Sequence, residues 1–159
     1  MVHPEQIAFC KSIREKYPEH FEDATVLDIG SLGNESIRGL FTDAVYLGLD
    51  ITKGKNVDVV AKGYEYNPRI QFDTVISTEL FEYDPHWKET IANAIRLTKS
   101  GGLFLFTCGT TGKEDNGSSY YRNLTEYDIR QVSGFEEAFS KFSFSTDNTK
   151  NLYFYGIKK

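Results

Sequence analysis

The sequence predicts an α/β protein built on a doubly wound sheet, mostly parallel, with one reversed strand near the C-terminus and helices on both faces. Three observations predict it. Apolar strand-sized segments alternate with helix-like ones between Ala24 and Cys108, and such alternation makes parallel crossovers buried on both faces. The first of these strands runs straight into Gly30, as a strand does where a ligand loop follows. The tail instead carries an aromatic hairpin, whose two strands must be antiparallel to each other. At 159 residues the chain suits one domain, taken as residues 1–159, with residues 1–21 forming a helix that packs on the sheet.

Pro4 fits a first helical turn, and Phe9, Ile13 and Tyr17 recur at helical spacing before Pro18 ends the helix. Ala24 to Ile29 reads as a buried strand, Val45 to Asp50 as a second, Val57 to Val60 as a short third and Phe72 to Ser77 as a fourth. Asp84 is placed to cap the next helix with Pro85 at its first position. Trp87, Ile91, Ala94, Ile95 and Thr98 mark its apolar face, and Gly101-Gly102 its end. Leu103 to Cys108 is the fifth strand. A polar stretch from Gly109 to Ser119 follows, and then Thr125 and Asp128 form a capping box that opens another helix. Phe142 and Phe144 alternate with serines, whereas Leu152 to Ile157 is apolar on both faces. The last strand is therefore central and the one before it lies at an edge.

Composition excludes several classes. There are 18 basic and 23 acidic side chains, a net charge of −5, which disfavours a surface that tracks nucleic-acid phosphates. No apolar run approaches the roughly 20 residues of a membrane span, and the N-terminus lacks the pattern of a signal peptide, so no membrane partner is expected. Two cysteines far apart, Cys10 and Cys108, support neither a disulfide framework nor a zinc site, and a reducing cytoplasmic location and no metal are expected.

The first strand ends Val26-Leu-Asp-Ile-Gly-Ser-Leu-Gly33. A dinucleotide fingerprint would align Gly30 and Gly33 with its last two glycines, yet Asp28 stands at its first. A carboxylate under that turn repels a pyrophosphate and suits a cationic ligand end such as an ammonium group. This disfavours a nicotinamide-dependent oxidoreductase. Asp50, 22 residues on, ends the second strand, where a carboxylate accepts hydrogen bonds from a ribose diol. One acid for an amino group and one for a ribose point to S-adenosylmethionine, also written S-adenosyl-L-methionine, as cofactor.

With these residues the chain resembles a small class I S-adenosylmethionine-dependent methyltransferase of the methyltransferase type 11 kind. Val26 to Gly33 resembles the first motif of that family, Tyr46-Leu-Gly-Leu-Asp50 its second, Phe72 to Glu79 its fourth-strand motif, and Leu97 to Phe106 the junction before the fifth strand. The resemblance implies a Rossmann-like sheet of seven strands. It also implies that Asp28, Gly30, Ser31 and Gly33 hold the methionine end, Asp50 and Ile51 the adenosine, and that Ser77 and Thr78 frame the reacting centre. Glu79 is then the candidate general base, with His86 as a second proton acceptor near neutral pH. Tyr83, Tyr120, Tyr121 and Arg122 lie on the same rim, and the glycine-bearing loop before them is expected to close over a substrate.

Three positions depart from the family pattern. Leu32 and Asn34 replace loop glycines, and Lys62 stands where an acid often receives the adenine amine. Lysine has donors only. The expected activity is methyl transfer to a small-molecule or carbohydrate-like acceptor. The competing reading is a non-catalytic binding module or partner subunit with a degenerate cofactor site. A chain with no inserted domain gains a larger recognition surface only from a partner or a second copy, so a homo-oligomer is left open.

Overall fold

The computed structural model describes residues 2–115 and 117–159. The strands are β1 (Thr25–Ile29), β2 (Val45–Asp50), β3 (Val59–Val60), β4 (Phe72–Thr78), β5 (Thr98–Gly109), β6 (Phe139–Thr146) and β7 (Asn151–Lys158). The α-helices are α1 (Pro4–Lys16), α2 (Glu35–Arg38), α3 (Trp87–Leu97) and α4 (Glu126–Arg130). One sheet holds all seven strands in the order β3-β2-β1-β4-β5-β7-β6. The pairings from β3 across to β5 are parallel, and β7 runs antiparallel to both of its neighbours. The order reverses between β1 and β4, so the carboxyl ends of β1, β2 and β4 open on one crevice.

Strand alternation divides the core into two layers. On one face Val26, Tyr46, Ile76, Leu103 and Leu105 pack with Cys10 and Ile13 of α1 and Ile37 of α2. On the other, Leu27, Ile29, Val75, Phe104 and Phe106 meet Trp87, Ile91 and Ala94 of α3 and Ile129 of α4. Phe154 of β7 centres an aromatic cluster on this second face, 4.9 Å from Phe144 and 5.1 Å from both Phe106 and Phe135, ring centroid to ring centroid. The edge position of β6 follows from its outward Ser140, Lys141, Ser143 and Ser145, which face solvent. Burial pushes the Cys10 thiol up to about 12 and raises Cys108 as well, so both are inert packing groups. Among the described residues no helix is long and apolar enough to cross a membrane.

The hairpin and the capping box lie as expected. Thr125 Oγ1 accepts from the Asp128 amide, and the Asp128 carboxylate accepts from the Thr125 amide. Three boundaries differ from expectation. Helix α3 starts at Trp87 with His86 as its N-cap residue, because Phe81–Tyr83 first forms a separate 3-10 turn. Asp84 and Pro85 thus lie ahead of the helix, and Asp84, instead of capping it, accepts from the His86 amide at 2.8 Å. Thr98 belongs to β5, since its register with Phe72 begins the strand before a turn at Gly101. Strand β3 covers only Val59–Val60. Residues 51–58 and 61–71 cross as turns and irregular chain, because their apolar side chains show no helical period.

Candidate cofactor site

Register sets the site. Ile29 pairs with Leu49, so Gly30 and Asp50 leave the sheet side by side, and Asp50 pairs with Val60, which brings Ala61 and Lys62 next to them. Gly30 turns the chain at φ 83°, a conformation that costs glycine nothing, and its bare Cα faces Leu80. A Cβ there would lie 3.2 Å from the leucine. Between these ends lies a cleft of about 230 Å³. It is lined by Ile29, Gly30 and Leu49, by Asp50 and Ile51, by Ala61 to Tyr64, and by Leu80, Tyr83 and Asp84 to His86. Ligand pockets commonly measure about 300–1,000 Å³, so this volume suits one moiety, such as a nucleoside.

The Asp50 carboxylate accepts the Leu32 amide at 3.1 Å and the Thr52 amide at 3.0 Å, one on each oxygen. A carboxylate offers about four acceptor sites, so each oxygen keeps capacity for a further hydrogen bond. Ile51 is 70% exposed, an apolar side chain at the cleft rim whose burial awaits a partner surface. Within this lining the Tyr64 and His86 rings lie 4.2 Å apart, and the Lys62 ammonium stands 5.8 Å from the Tyr64 ring centre.

The structure brings Gly30, Asp50, Ile51, Tyr83 and His86 to the cleft. The remaining candidates lie around it. Asp28 is fully buried within β1, where the Tyr46 hydroxyl donates to one carboxylate oxygen. The other has no partner among the described residues. Burial pushes its carboxyl up to about 7 against the lowering effect of the Tyr46 bond. Ser31 donates to the Asn56 carbonyl at 2.8 Å, and the Gly33 amide to the Lys55 carbonyl at 3.1 Å. Ser77 donates to the Ile29 carbonyl at 2.8 Å. Thr78 accepts from the Asn34 amide group at 3.0 Å, and that same group donates to the Gly30 carbonyl at 3.1 Å. Asn34 thus ties the glycine turn to the end of β4. Leu32 packs its side chain toward Gly54 and is not part of the cleft wall.

Glu79 adopts φ 51°, a left-handed conformation uncommon outside glycine. It accepts from the Gln6 amide at 2.8 Å and lies 3.6 Å from the His3 imidazole, so α1 reaches over the end of β4. Tyr121 packs on Tyr83 with 5.3 Å between ring centres and donates to Asn123 at 2.8 Å. The Tyr120 carbonyl accepts from Ser118 at 2.7 Å, and Arg122 lies 3.4 Å from Asp128. Within the loop expected to close over a substrate, Gly109 belongs to β5 and Asn116 lies outside the described residues.

One acid escaped the sequence reading. Glu82 is buried, accepts from the Gly109 amide, and leaves its other oxygen without a partner among the described residues. Burial pushes it up to about 7. Its only sequence signal is its setting, a lone acid in Leu80-Phe-Glu-Tyr83.

Gly48 packs directly against the chain that follows β2. A Cβ there would sit 2.1 Å from the Asn56 carbonyl oxygen and 2.6 Å from Ser31 Oγ. Gly48→Ala is therefore expected to push the 51–58 segment off β2 and cost about 1–3 kcal/mol, read as a lower urea midpoint at unchanged slope. An unchanged midpoint would contradict this packing.

No protein-family model matches the chain, and no curated protein sequence matches it. Solved structures do. The 1,6-didemethyltoxoflavin-N1-methyltransferase of Burkholderia thailandensis, crystallised with 1,6-didemethyltoxoflavin and S-adenosylhomocysteine, superposes with a TM-score of 0.71 at 15% identity, over 96% of this chain and 78% of that one. The N-methyltransferase NodS of Bradyrhizobium japonicum, in complex with S-adenosylhomocysteine, gives 0.69 at 12% identity, over 97% and 86%. Magnesium protoporphyrin IX methyltransferase of Synechocystis, with S-adenosylmethionine bound, gives 0.68 at 14%, over 97% and 80%. The chain has the class I methyltransferase fold. The reversed β7 between β5 and β6 is part of that likeness, and the cleft lies at the crevice where the sheet order reverses.

Proposed function

We propose that the chain is an S-adenosylmethionine-dependent methyltransferase, of the small type 11-like kind, acting on a small-molecule or carbohydrate-like acceptor. The observation that carries this reading is Asp50 at the rim of a mostly apolar, nucleoside-sized cleft, with acceptor capacity left on both oxygens. The residues present fit the adenosine part of the cofactor. Asp50 accepts the ribose hydroxyls, and Ile29, Leu49 and Ile51 cover the base.

Gly30 and the 31–33 turn run along the methionine end, held in shape by Ser31, Gly33, Asn34, Ser77 and Thr78. Asp28 acts from behind this turn, through Tyr46 and β1, and not by touching the ligand. When bound, the cofactor supplies an already activated methyl group, so the protein's main task is to align the acceptor with it. Glu79 and His86 are the groups we assign to take up a proton from the acceptor. Tyr83, Tyr120, Tyr121 and Arg122 are assigned to hold it. The acceptor that the Burkholderia enzyme carries is a small molecule, which supports an acceptor of that size, and the net charge of −5 argues against nucleic acid.

The test is incubation with methyl-labelled S-adenosylmethionine and a panel of small amines, phenols and sugars. Labelled product with matching S-adenosylhomocysteine is expected. A folded sample that neither binds the cofactor nor labels any member would favour the non-catalytic module with its degenerate cofactor site.

A further inference from the structure

We propose that Glu82 is the positioning residue of the acceptor side: it holds Tyr121 against Tyr83 by tying the end of β5 and the chain before α4 to one turn, and its ionisation loosens that tie. The acceptor role of the two tyrosines rests on the reading above, whereas the tie rests on contacts within the chain alone.

Each residue of the 3-10 turn Phe81–Tyr83 has a separate task. Phe81 is fully buried and anchors the turn, its ring edge-on to Phe106 with 5.0 Å between centres. Tyr83 lines the cleft and carries Tyr121 against its ring at 5.3 Å. Glu82, between them, holds two stretches of chain that follow much later in sequence. Its carboxylate accepts the Gly109 amide, and its carbonyl accepts the Arg122 amide at 2.8 Å. The Gly109 carbonyl in turn accepts the Leu124 amide at 3.1 Å. Gly109 has to be bare for this. A Cβ there would lie 2.8 Å from the Tyr121 hydroxyl and 3.2 Å from Glu82 Oε2, so hydroxyl and carboxylate converge on one Cα.

The other carboxylate oxygen is buried without a partner among the described residues. A neutral carboxyl tolerates that. An ionised one is a charge without solvation, relieved when the contacts part and admit water. Burial pushes this carboxyl up to about 7, against the lowering effect of the Gly109 bond. Most groups that face it supply no counter-charge: Glu79 ahead of the turn, Tyr83 on it, Cys108 in β5 and Tyr121 before α4 are acidic or neutral. Asp115 adds negative charge near both tyrosines. Lys113 faces it too, but that ammonium donates to the Thr149 carbonyl at 3.2 Å and to the Asn151 side-chain oxygen at 3.3 Å. Arg122 lies 3.4 Å from Asp128.

Backbone amide exchange followed by NMR tests this without any ligand, so its outcome is separate from success or failure of the cofactor reading. Protection factors, which remove the intrinsic pH dependence of exchange, are measured at pH 5 and pH 8 for wild type, Glu82→Gln and Asp28→Asn. In wild type the Gly109, Arg122 and Leu124 amides are expected to lose protection about tenfold or more at pH 8, relative to the Leu105 and Phe106 amides of central β5. Ring contacts between Tyr83 and Tyr121 should weaken with them. Glu82→Gln keeps both at pH 8, and Asp28→Asn loses them as wild type does. The inference is overturned if the Gly109, Arg122 and Leu124 amides follow the β5 core at both pH values, or are unprotected already at pH 5. It is also overturned if the loss persists in Glu82→Gln, or if the tyrosine contacts survive the loss in wild type. Should Glu82→Gln not fold, wild type decides alone: a loss confined to those amides supports the tie, and a uniform loss overturns it.

Discussion

Wild-type protein is expected to lose stability as pH rises from about 4 to about 7, and Asp28→Asn and Glu82→Gln are each expected to remove part of that loss. Both side chains are buried with one carboxylate oxygen unpartnered among the described residues, and burial pushes both up to about 7. Unfolded, they return to about 3.9 and 4.3. Between those values the folded state holds more protons than the unfolded one, so stability must fall as protons leave. The favourable contribution is complete below about pH 4 and gone above about pH 7. At roughly 1.4 kcal/mol per unit, each site is worth on the order of 3–4 kcal/mol across that window. Asp73 and Asp147 act the other way: hydrogen bonds hold both below their usual value despite partial burial, so their contribution is lost only as pH falls toward and below about 4. A stability maximum near pH 4–5 follows. Urea denaturation at half-unit steps from about pH 3 to about pH 8.5 measures it. The amides mimic the neutral acids, so each variant should be flatter than wild type and more stable at pH 8. Profiles parallel to wild type would contradict the assignment.

The second large effect is expected at Asp50. Its carboxylate lies at the cleft rim, and each oxygen accepts one backbone amide and retains further capacity. A hydrogen bond to a charged group is worth about 1.5–3 kcal/mol. Losing two should weaken S-adenosylhomocysteine binding about 100-fold or more in Asp50→Ala. That variant also frees the Leu32 and Thr52 amides, so part of its loss comes from the turn. Asp50→Asn keeps one acceptor oxygen and the side-chain volume, and should fall between, about tenfold weaker than wild type. Equal affinity in all three would place the ribose elsewhere.

Register explains what the sequence could disclose. Asp50 and Gly30 were legible because both end strands whose apolar runs are unmistakable, and neighbouring parallel strands deliver their carboxyl ends together. The hairpin was legible because β6 alternates and β7 does not. Asp28 was legible as a distinctive acid but not as a buried one. Its facing depends on strand parity and on Tyr46, contributed by a different strand. Glu82 was missed because a carboxylate in a 3-10 turn leaves no periodic signal, and its partner, the Gly109 amide, is 27 residues away. The start of α3 slipped by two residues, from Pro85 to Trp87, because Phe81–Tyr83 forms its own 3-10 turn and Asp84 binds the His86 amide ahead of the helix. Of the two residues that break the glycine pattern, Leu32 sits beside Gly54 outside the cleft lining and Asn34 braces the glycine turn to β4, an outcome of packing that no local pattern encodes.

The most direct test of the cofactor reading is calorimetric titration of S-adenosylhomocysteine into folded wild-type protein. Saturable one-to-one binding in the micromolar range is predicted. No saturation up to millimolar ligand, in a sample whose cooperative unfolding shows it intact, would contradict it.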